Sequence, residues 1–328
     1  MDGRVNGVPA DLVGGVPRPG HDRLAMSPEE MGSRLLYRDG LMLIVDKPAG
    51  LAVHRGPKGG PSLEDAFDAL RFGLPRRPAL AHRLDKETSG CLVLGRHRKA
   101  LADLSNLFRH GKIGKTYWAV VEGGPQADEG RIDLPLGRLD DKIGWWMKHD
   151  PDGLPSATTW KVMGRCQIVP ANTGGAVGSA HPSGVPSPAC GGGTGRGNDT
   201  DAEFSPLPNP PPQAGEGAGP SNGRTTNQLT WLALEPLTGR THQLRVHCAE
   251  TGFPILGDDI YGNAPRRGGP GLHLHAREIV VPLYRNRPPV RVTAPVPPHM
   301  KERLKACGWD GADEAATTTP SRSIPASC

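Results

Sequence analysis

Apolar positions along this chain fall into short runs, some alternating and some continuous, broken by Gly- and Pro-rich stretches; long helical stripes are few. Leu41 to Asp46 reads as a buried strand ended by the turn Lys47-Pro48-Ala49-Gly50. Ser62, with Asp65 three residues on, opens a predicted helix through Phe67 and Leu70 that stops at Gly73. Residues 80–84 and 91–95 are strand-like. Between His97 and His110, Leu101, Leu104, Leu107 and Phe108 share one helical face, and Gly111 suits the cap. Thr116 to Val121 and Leu229 to Leu234 alternate as strands do, and Gly271 to Val281 is long enough for one bent strand or two. Thr241 to Glu250, ended by Gly252, and Pro298 to Cys307 are the remaining helix candidates.

Many short strands with few helices between them predict an α+β fold, a large and mainly antiparallel sheet with helices packed on it. Residues 1–33 and 308–328 lack periodicity and are expected to be disordered tails around one domain, 34–307. That domain is interrupted at 166–227, a stretch of Gly, Pro, Ser, Ala and Asn including Pro208-Asn209-Pro210-Pro211-Pro212, with almost no large apolar residues. It reads as a disordered insertion at the tip of two neighbouring strands, with a Pro-rich docking segment as the alternative.

Composition agrees with this division. The 328 residues would suffice for two average domains, but 45 Gly and 35 Pro imply that a sizeable part is loop. A formal net charge of +5 is compatible with a polyanionic partner without requiring one. The six cysteines, at 91, 166, 190, 248, 307 and 328, form no C-x-x-C pair, so neither a disulfide framework nor a zinc site is indicated. No signal-peptide core and no apolar run of membrane length occurs, and the expectation is a soluble cytoplasmic protein with reduced thiols.

The chemistry concentrates in His82-Arg83-Leu84-Asp85-Lys86-Glu87-Thr88-Ser89-Gly90, where an acid stands in a predicted loop between two strands. Taken singly, an Asp before a Thr-Ser-Gly turn caps its own backbone. Three further blocks accompany it. They are Asp46-Lys47-Pro48-Ala49-Gly50-Leu51-x-Val53-His54, then Lys115-Thr116-Tyr117-Trp118-Ala119-Val120-Val121-Glu122-Gly123, then Leu237-Thr238-Gly239-Arg240-Thr241-His242-Gln243-Leu244-Arg245-Val246-His247 with Gly257-Asp258-x-x-Tyr261-Gly262 after it. Together and in this order they resemble the signatures of the RluA-type pseudouridine synthases, over about residues 34 to 300 outside the insertion.

The resemblance implies a single catalytic domain with an active cleft across its sheet, isomerising uridines of ribosomal or transfer RNA stem-loops without metal or cofactor. It implies Asp85 as the catalytic carboxylate, whether as nucleophile toward sugar or base or as the base that takes a sugar proton, with Arg245 keeping it ionised. Tyr117 would stack on the target base and move a proton; without the resemblance it reads as a core tyrosine. Arg83 would fill the space that the extruded uridine leaves, where the plainer reading is a surface ion pair. His82, Arg96, Arg98, Lys99, Lys112, Lys115, Arg240 and His242 are the further candidate RNA contacts, although basic runs ordinarily mark a solvated helix face. A monomer is expected.

Two rivals stand beside this. A metal-dependent hydrolase would use His242, His247, His273, His275 and Asp258, but no H-E-x-x-H occurs and the spacing of these residues matches no common site. An RNA-binding protein without catalysis would have no need of Asp85, Tyr117 and Arg245 together.

Overall fold

A computed structural model of the protein describes residues 26–56, 59–140, 146–167, 228–266, 268–311 and 317–318. The strands are β1 (Leu35–Arg38), β2 (Met42–Lys47), β3 (Ala79–Leu80), β4 (Ser89–Gly95), β5 (Gly114–Glu122), β6 (Glu129–Asp133), β7 (Leu136–Arg138), β8 (Met147–His149), β9 (Ala157–Gln167), β10 (Gln228–Pro236), β11 (Leu274–Val281), β12 (Val290–Thr293) and β13 (Thr317–Thr318). The helices are α1 (Pro28–Ser33), α2 (Arg98–Arg109), α3 (Gln243–Glu250) and α4 (Pro298–Ala306), with a 3-10 helix at Leu63–Leu70.

Eleven strands form one sheet whose main path is β1-β2-β4-β11-β5-β10-β9-β6, while β7 and β8 make a separate hairpin. The sheet is antiparallel except where β4 runs parallel to β11, with Ser89 opposite His275 and Gly90 opposite Ala276. Further along, β11 leaves β4 and pairs with β12. At the junction Gly90 has φ +106°, and a Cβ there would lie 2.3 Å from the Ala276 carbonyl oxygen, so only glycine fits. This is the α+β architecture that the strand pattern predicts.

Alternation sorts the core into layers on both faces of the sheet. In β2 and β4, Leu43, Val45, Leu92 and Leu94 face α1 and the 3-10 helix through Met31, Leu63 and Phe67. Met42, Ile44, Cys91 and Val93 face the other way, toward Leu104 of α2. The far half repeats the scheme: Ala119, Val121, Leu232 and Leu234 pack on Leu244 and Cys248 of α3, while Trp118, Val120 and Trp231 pack on Met300 and Leu304 of α4. Tyr117 touches the α1-side core and the α3-side core alike, and so marks the seam between the halves.

Several boundaries differ from the sequence expectation. Residues 26–33, expected as tail, carry α1: Ser27 Oγ accepts the Glu30 N–H at 3.1 Å, Pro28 opens the helix, and Met31 is fully buried. Gly308 and Trp309, also expected as tail, continue from α4, and Trp309 packs edge-on to Trp118 at 6.3 Å. At 63–70 the predicted helix is 3-10 rather than α, with the Asp65 carboxylate accepting the Ser62 N–H at 2.9 Å. Strand pairing of the stretch 80–84 stops at Leu80, which lengthens the loop carrying Asp85. The strands flanking the interior gap are direct partners, Gln167 opposite Gln228. Residues 168–227, 1–25 and 319–328, to which most of the disorder expectations refer, lie outside the described residues.

Candidate active site

The Asp85 loop is held from three sides. Lys47, fully buried, donates from Nζ to the carbonyls of Pro48 at 2.8 Å and Lys86 at 2.9 Å, and the Gly50 N–H donates to the same Lys86 oxygen at 2.9 Å. The turn Lys47-Pro48-Ala49-Gly50 therefore acts as a clamp on the residue after Asp85. Leu84 is buried in the α1-side core, and His82 Nε2 accepts the Val93 N–H at 3.0 Å while its ring stacks on Phe108 at 4.3 Å. With its neighbours on either side tied down, Asp85 presents a side chain that is 21% exposed.

It opens into a cleft of about 360 Å³ at the seam of the sheet. Tyr117 from β5 and Leu274 from β11 form the floor, and the segment from Thr238 through the first turn of α3 forms a wall. Gln243 secures that wall with four hydrogen bonds: its Oε1 accepts from Thr238 Oγ1 at 2.7 Å and the Arg240 N–H at 3.0 Å, and its Nε2 donates to the Ala157 carbonyl at 2.9 Å and Thr158 Oγ1 at 3.0 Å. Lys115 closes the rim by donating to the Thr238 carbonyl at 3.2 Å.

Charge in the cleft is layered. Arg245, 3% exposed, donates from Nε to Asp258 Oδ2 at 2.7 Å and from Nη2 to Asp258 Oδ1 at 2.6 Å. Burial pulls the Arg245 guanidinium down, but the hydrogen bonds and charge of Asp258, and the charge of Asp85, outweigh it and hold it above its ordinary value. Asp258 Oδ1 also accepts the N–H groups of Ile260 and Tyr261, at 2.9 and 3.0 Å, which fixes the loop after α3. Among the described residues, the basic atom within ion-pair reach of Asp85 is His242 Nε2, 3.8 Å from Oδ1. His242 stands in the left-handed region, φ 52° and ψ 16°, at the N-cap of α3, and its Nδ1 is 2.8 Å from the Tyr261 hydroxyl. Burial lowers its pKa, opposed by Asp85 and reinforced by Arg245. Burial, and next the charge of Asp85, push the Tyr117 phenol far above its ordinary value, so it keeps its proton.

Asp85, Tyr117, Arg245, Arg83, His82, Lys115, Arg240 and His242 thus line one cleft. The other candidates lie elsewhere. Arg96 donates to the carbonyls of Asp39 at 2.6 Å, Arg71 at 3.4 Å and Phe72 at 3.5 Å, and so ties the β1–β2 turn to the end of the 3-10 helix. Arg98 and Lys99 are exposed in the first turn of α2, while Phe108 and Arg109 at its other end reach the cleft, about 14 to 17 Å along the helix axis. Lys112 is exposed in the turn beyond. His82 is no cation: burial depresses its pKa to about 3, and the ring serves the loop as acceptor and stacking partner.

The sequence gives Thr241, His242 and Gln243 the task of positioning backbone and Arg245, and Gln243 does hold the backbone at Ala157 and Arg240; it assigns no place in the site to Phe108 or Tyr261. The Gly257-Asp258-x-x-Tyr261-Gly262 block was the available signal for Tyr261, and for Asp258 as the partner of Arg245 rather than a metal ligand. The proposed metal ligands are each engaged apart: His247 with Ser156 and Thr158, His275 with Ser89, His273 beside His299, and Asp258 with Arg245. Among the described residues no group of three or more His, Cys, Asp or Glu side chains is arranged to hold a metal ion. No helix among them is long and apolar enough to cross a membrane.

Comparison with known proteins agrees with the geometry. The family model described as RNA pseudouridylate synthase matches residues 41–250. An uncharacterized RNA pseudouridine synthase of Zymomonas mobilis is 32% identical over 269 residues, covering 81% of this chain and 95% of its own length. The ribosomal large subunit pseudouridine synthase C of Vibrio parahaemolyticus is 28% identical over 284 residues, 84% of this chain and 69% of its own. Among solved structures, human RNA pseudouridylate synthase domain containing 4 shares the fold with a TM-score of 0.56 at 22% identity, over 85% of this chain and 95% of that one.

Proposed function

The chain belongs to the RNA pseudouridylate synthase family, RluA type, and is a pseudouridine synthase acting on RNA; on that premise we propose that Asp85 is its catalytic carboxylate and that its targets are uridines in ribosomal or transfer RNA stem-loops. The observation that carries the reading is the meeting of Asp85, Tyr117 and Arg245 in one cleft although they are distant in sequence.

Turning uridine into pseudouridine breaks the bond from ribose C1′ to base N1 and forms one from C1′ to C5. C5 loses a proton and N1 gains one, so the isomerisation balances without oxidant or reductant. It needs a nucleophile or base and a proton carrier. Asp85 fills the first role whether it attacks sugar or base or takes a sugar proton, and each route requires its ionised form. The Arg245 charge lies behind it, and Asp258 keeps the guanidinium in place. Tyr117, protonated at neutral pH, offers a ring for stacking and a proton for exchange at the base.

A cleft of about 360 Å³ suits one nucleotide rather than a duplex, so the uridine leaves its stack to enter. Arg83, exposed beside Asp85, is suited to occupy the vacated space, and Arg109 and Arg240 on the rim to meet phosphates. The relative named for the large ribosomal subunit supports a ribosomal target.

Asp85→Asn tests the assignment. The variant should fold and bind RNA as the wild type does and form no pseudouridine; measurable turnover would remove Asp85 from its role. Mapping pseudouridines in total RNA from cells with and without the gene identifies the target.

A further inference from the structure

Behind Asp85 lies a chain of polar contacts that reaches the β7–β8 hairpin. The Met147 N–H at the start of β8 donates to the Tyr261 hydroxyl oxygen at 2.9 Å. That oxygen lies 2.8 Å from His242 Nδ1, and His242 Nε2, on the opposite side of the ring, faces Asp85 Oδ1 at 3.8 Å. The His242 and Tyr261 rings meet edge to face at 5.6 Å, and the Arg245 guanidinium lies 5.3 Å from the Tyr261 ring centre. Tyr261 is itself held by its backbone N–H on Asp258.

We propose that His242 is a positioning residue for Asp85, a neutral imidazole whose Nε2–H holds one carboxylate oxygen and leaves the other free to react, with Tyr261 setting the tautomer. The inference rests on Asp85 being the catalytic carboxylate. A phenol oxygen that accepts the Met147 N–H keeps its own proton for His242 Nδ1, which puts the imidazole proton on Nε2, toward Asp85. Burial favours the neutral ring, since His242 is 8% exposed. The backbone supplies a second indication: a non-glycine residue in the left-handed region is strained, and here the strain aims the ring at the carboxylate.

At 3.8 Å the contact is too long for a hydrogen bond, and closure of the cleft on RNA is the step that shortens it. The charged and titratable groups around the pair are Arg83 on the Asp85 loop, Tyr117 on β5, Arg245 on α3, and Asp258, Asp259 and Tyr261 on the loop after α3. Arg83, Arg245 and the acids are present in every variant below. A loss of rate that an amide N–H at the same place restores therefore reports the His242 contact.

Asparagine tolerates the left-handed backbone but is too short to reach Asp85, whereas glutamine carries an amide N–H near the position of Nε2. Single-turnover rates are measured on total RNA from cells deleted for the gene, with affinity for the same RNA and thermal melting alongside. His242→Asn should slow the reaction roughly 10- to 100-fold, the value of one hydrogen bond to a charged group, at unchanged RNA affinity. His242→Gln should recover most of the rate, and Tyr261→Phe should slow the reaction in the same way by less.

The proposal is overturned if His242→Asn keeps the wild-type rate, if its loss appears in RNA affinity alone, or if His242→Gln is no better than His242→Asn. An inactive Asp85→Asn beside a fully active His242→Asn removes only this inference. An active Asp85→Asn removes the premise.

Discussion

Arg245 grips Asp258 with both prongs of its guanidinium, at 2.7 and 2.6 Å, and meets Asp85 only through its field. The cation expected to pair with the reactive acid is thus held by a second acid, 13 residues on, which is 1% exposed. A cation fixed on Asp258 leaves the oxygens of Asp85 unoccupied by it. A direct fork would have covered the atoms the chemistry requires.

Removing Asp258 strands the guanidinium. Asp258→Ala should lower folding stability by about 3 to 5 kcal/mol, read by chemical denaturation at neutral pH, because the buried charge loses its partner. Burial raises the Asp258 carboxyl, but the hydrogen bonds and charge of Arg245 outweigh it and set it below the usual carboxylate range. Its contribution is therefore fully present above about pH 4, the unfolded value, and is lost as pH falls through the lower folded one. A variant whose acid unfolding matched the wild type would contradict this.

Asp46 behaves in the opposite sense. Burial lifts it to about 6 in spite of Arg34 and Lys47. Between about pH 4 and 6 the Asp46 carboxyl holds its proton in the folded chain more than in the unfolded one, so its own contribution to stability should fall as pH rises through that window, by up to about 3 kcal/mol, and then level off. Buried histidines such as His82 and His275 act in the opposite sense, so the component is read as a difference: the stability of the wild type relative to Asp46→Asn should fall across the window. Denaturation midpoints at about pH 4.5 and about pH 7, on either side of that value, decide it: an unchanged pH slope in the variant counts against the assignment.

Two arginines separate architecture from RNA contact. Arg96→Ala should lower the melting temperature, since three carbonyls lose their donor, and leave the salt dependence of RNA binding alone. Arg240→Ala should leave melting nearly unchanged and reduce the slope of log affinity against log salt by roughly one. Filter binding over a salt series distinguishes them, and a changed slope for Arg96→Ala would make it an RNA contact after all.

The stretch 168–227 joins two residues that are already strand partners, Gln167 and Gln228. Deleting 170–222 and closing the hairpin with the remaining residues should shift stability by only about 1 to 2 kcal/mol, since closure entropy grows with the logarithm of loop length. Turnover should persist. A large loss of either would show that the segment contributes to the fold or the site.

Much of this was legible in the sequence. The apolar runs announced β2, β4, β5, β10 and β11 because strand pattern and turn chemistry are properties of neighbouring residues, and the ordered motifs pointed to Asp85, Tyr117 and Arg245, which line one cleft. Less local features were not legible. Met31 had no periodic neighbours to mark it as core, and the turn at 26–33 folds because Leu63 and Phe67 cover it. A run such as Arg96-His97-Arg98-Lys99 looks uniform in one dimension, yet its first member is bonded to three carbonyls and Arg98 and Lys99 face solvent.

The residues proposed to react and their order were thus set by the sequence, whereas their partners were chosen by the tertiary structure. Which acid Arg245 holds, and that His242 stands between Asp85 and Tyr261, depends on β4, β11 and β5 lying side by side and on α3 being buried against β5 and β10. Those contacts join residues far apart in the chain, and their energies exist only once water has been excluded from the seam, where a hydrogen bond or a charge counts for more than it does in an open strand.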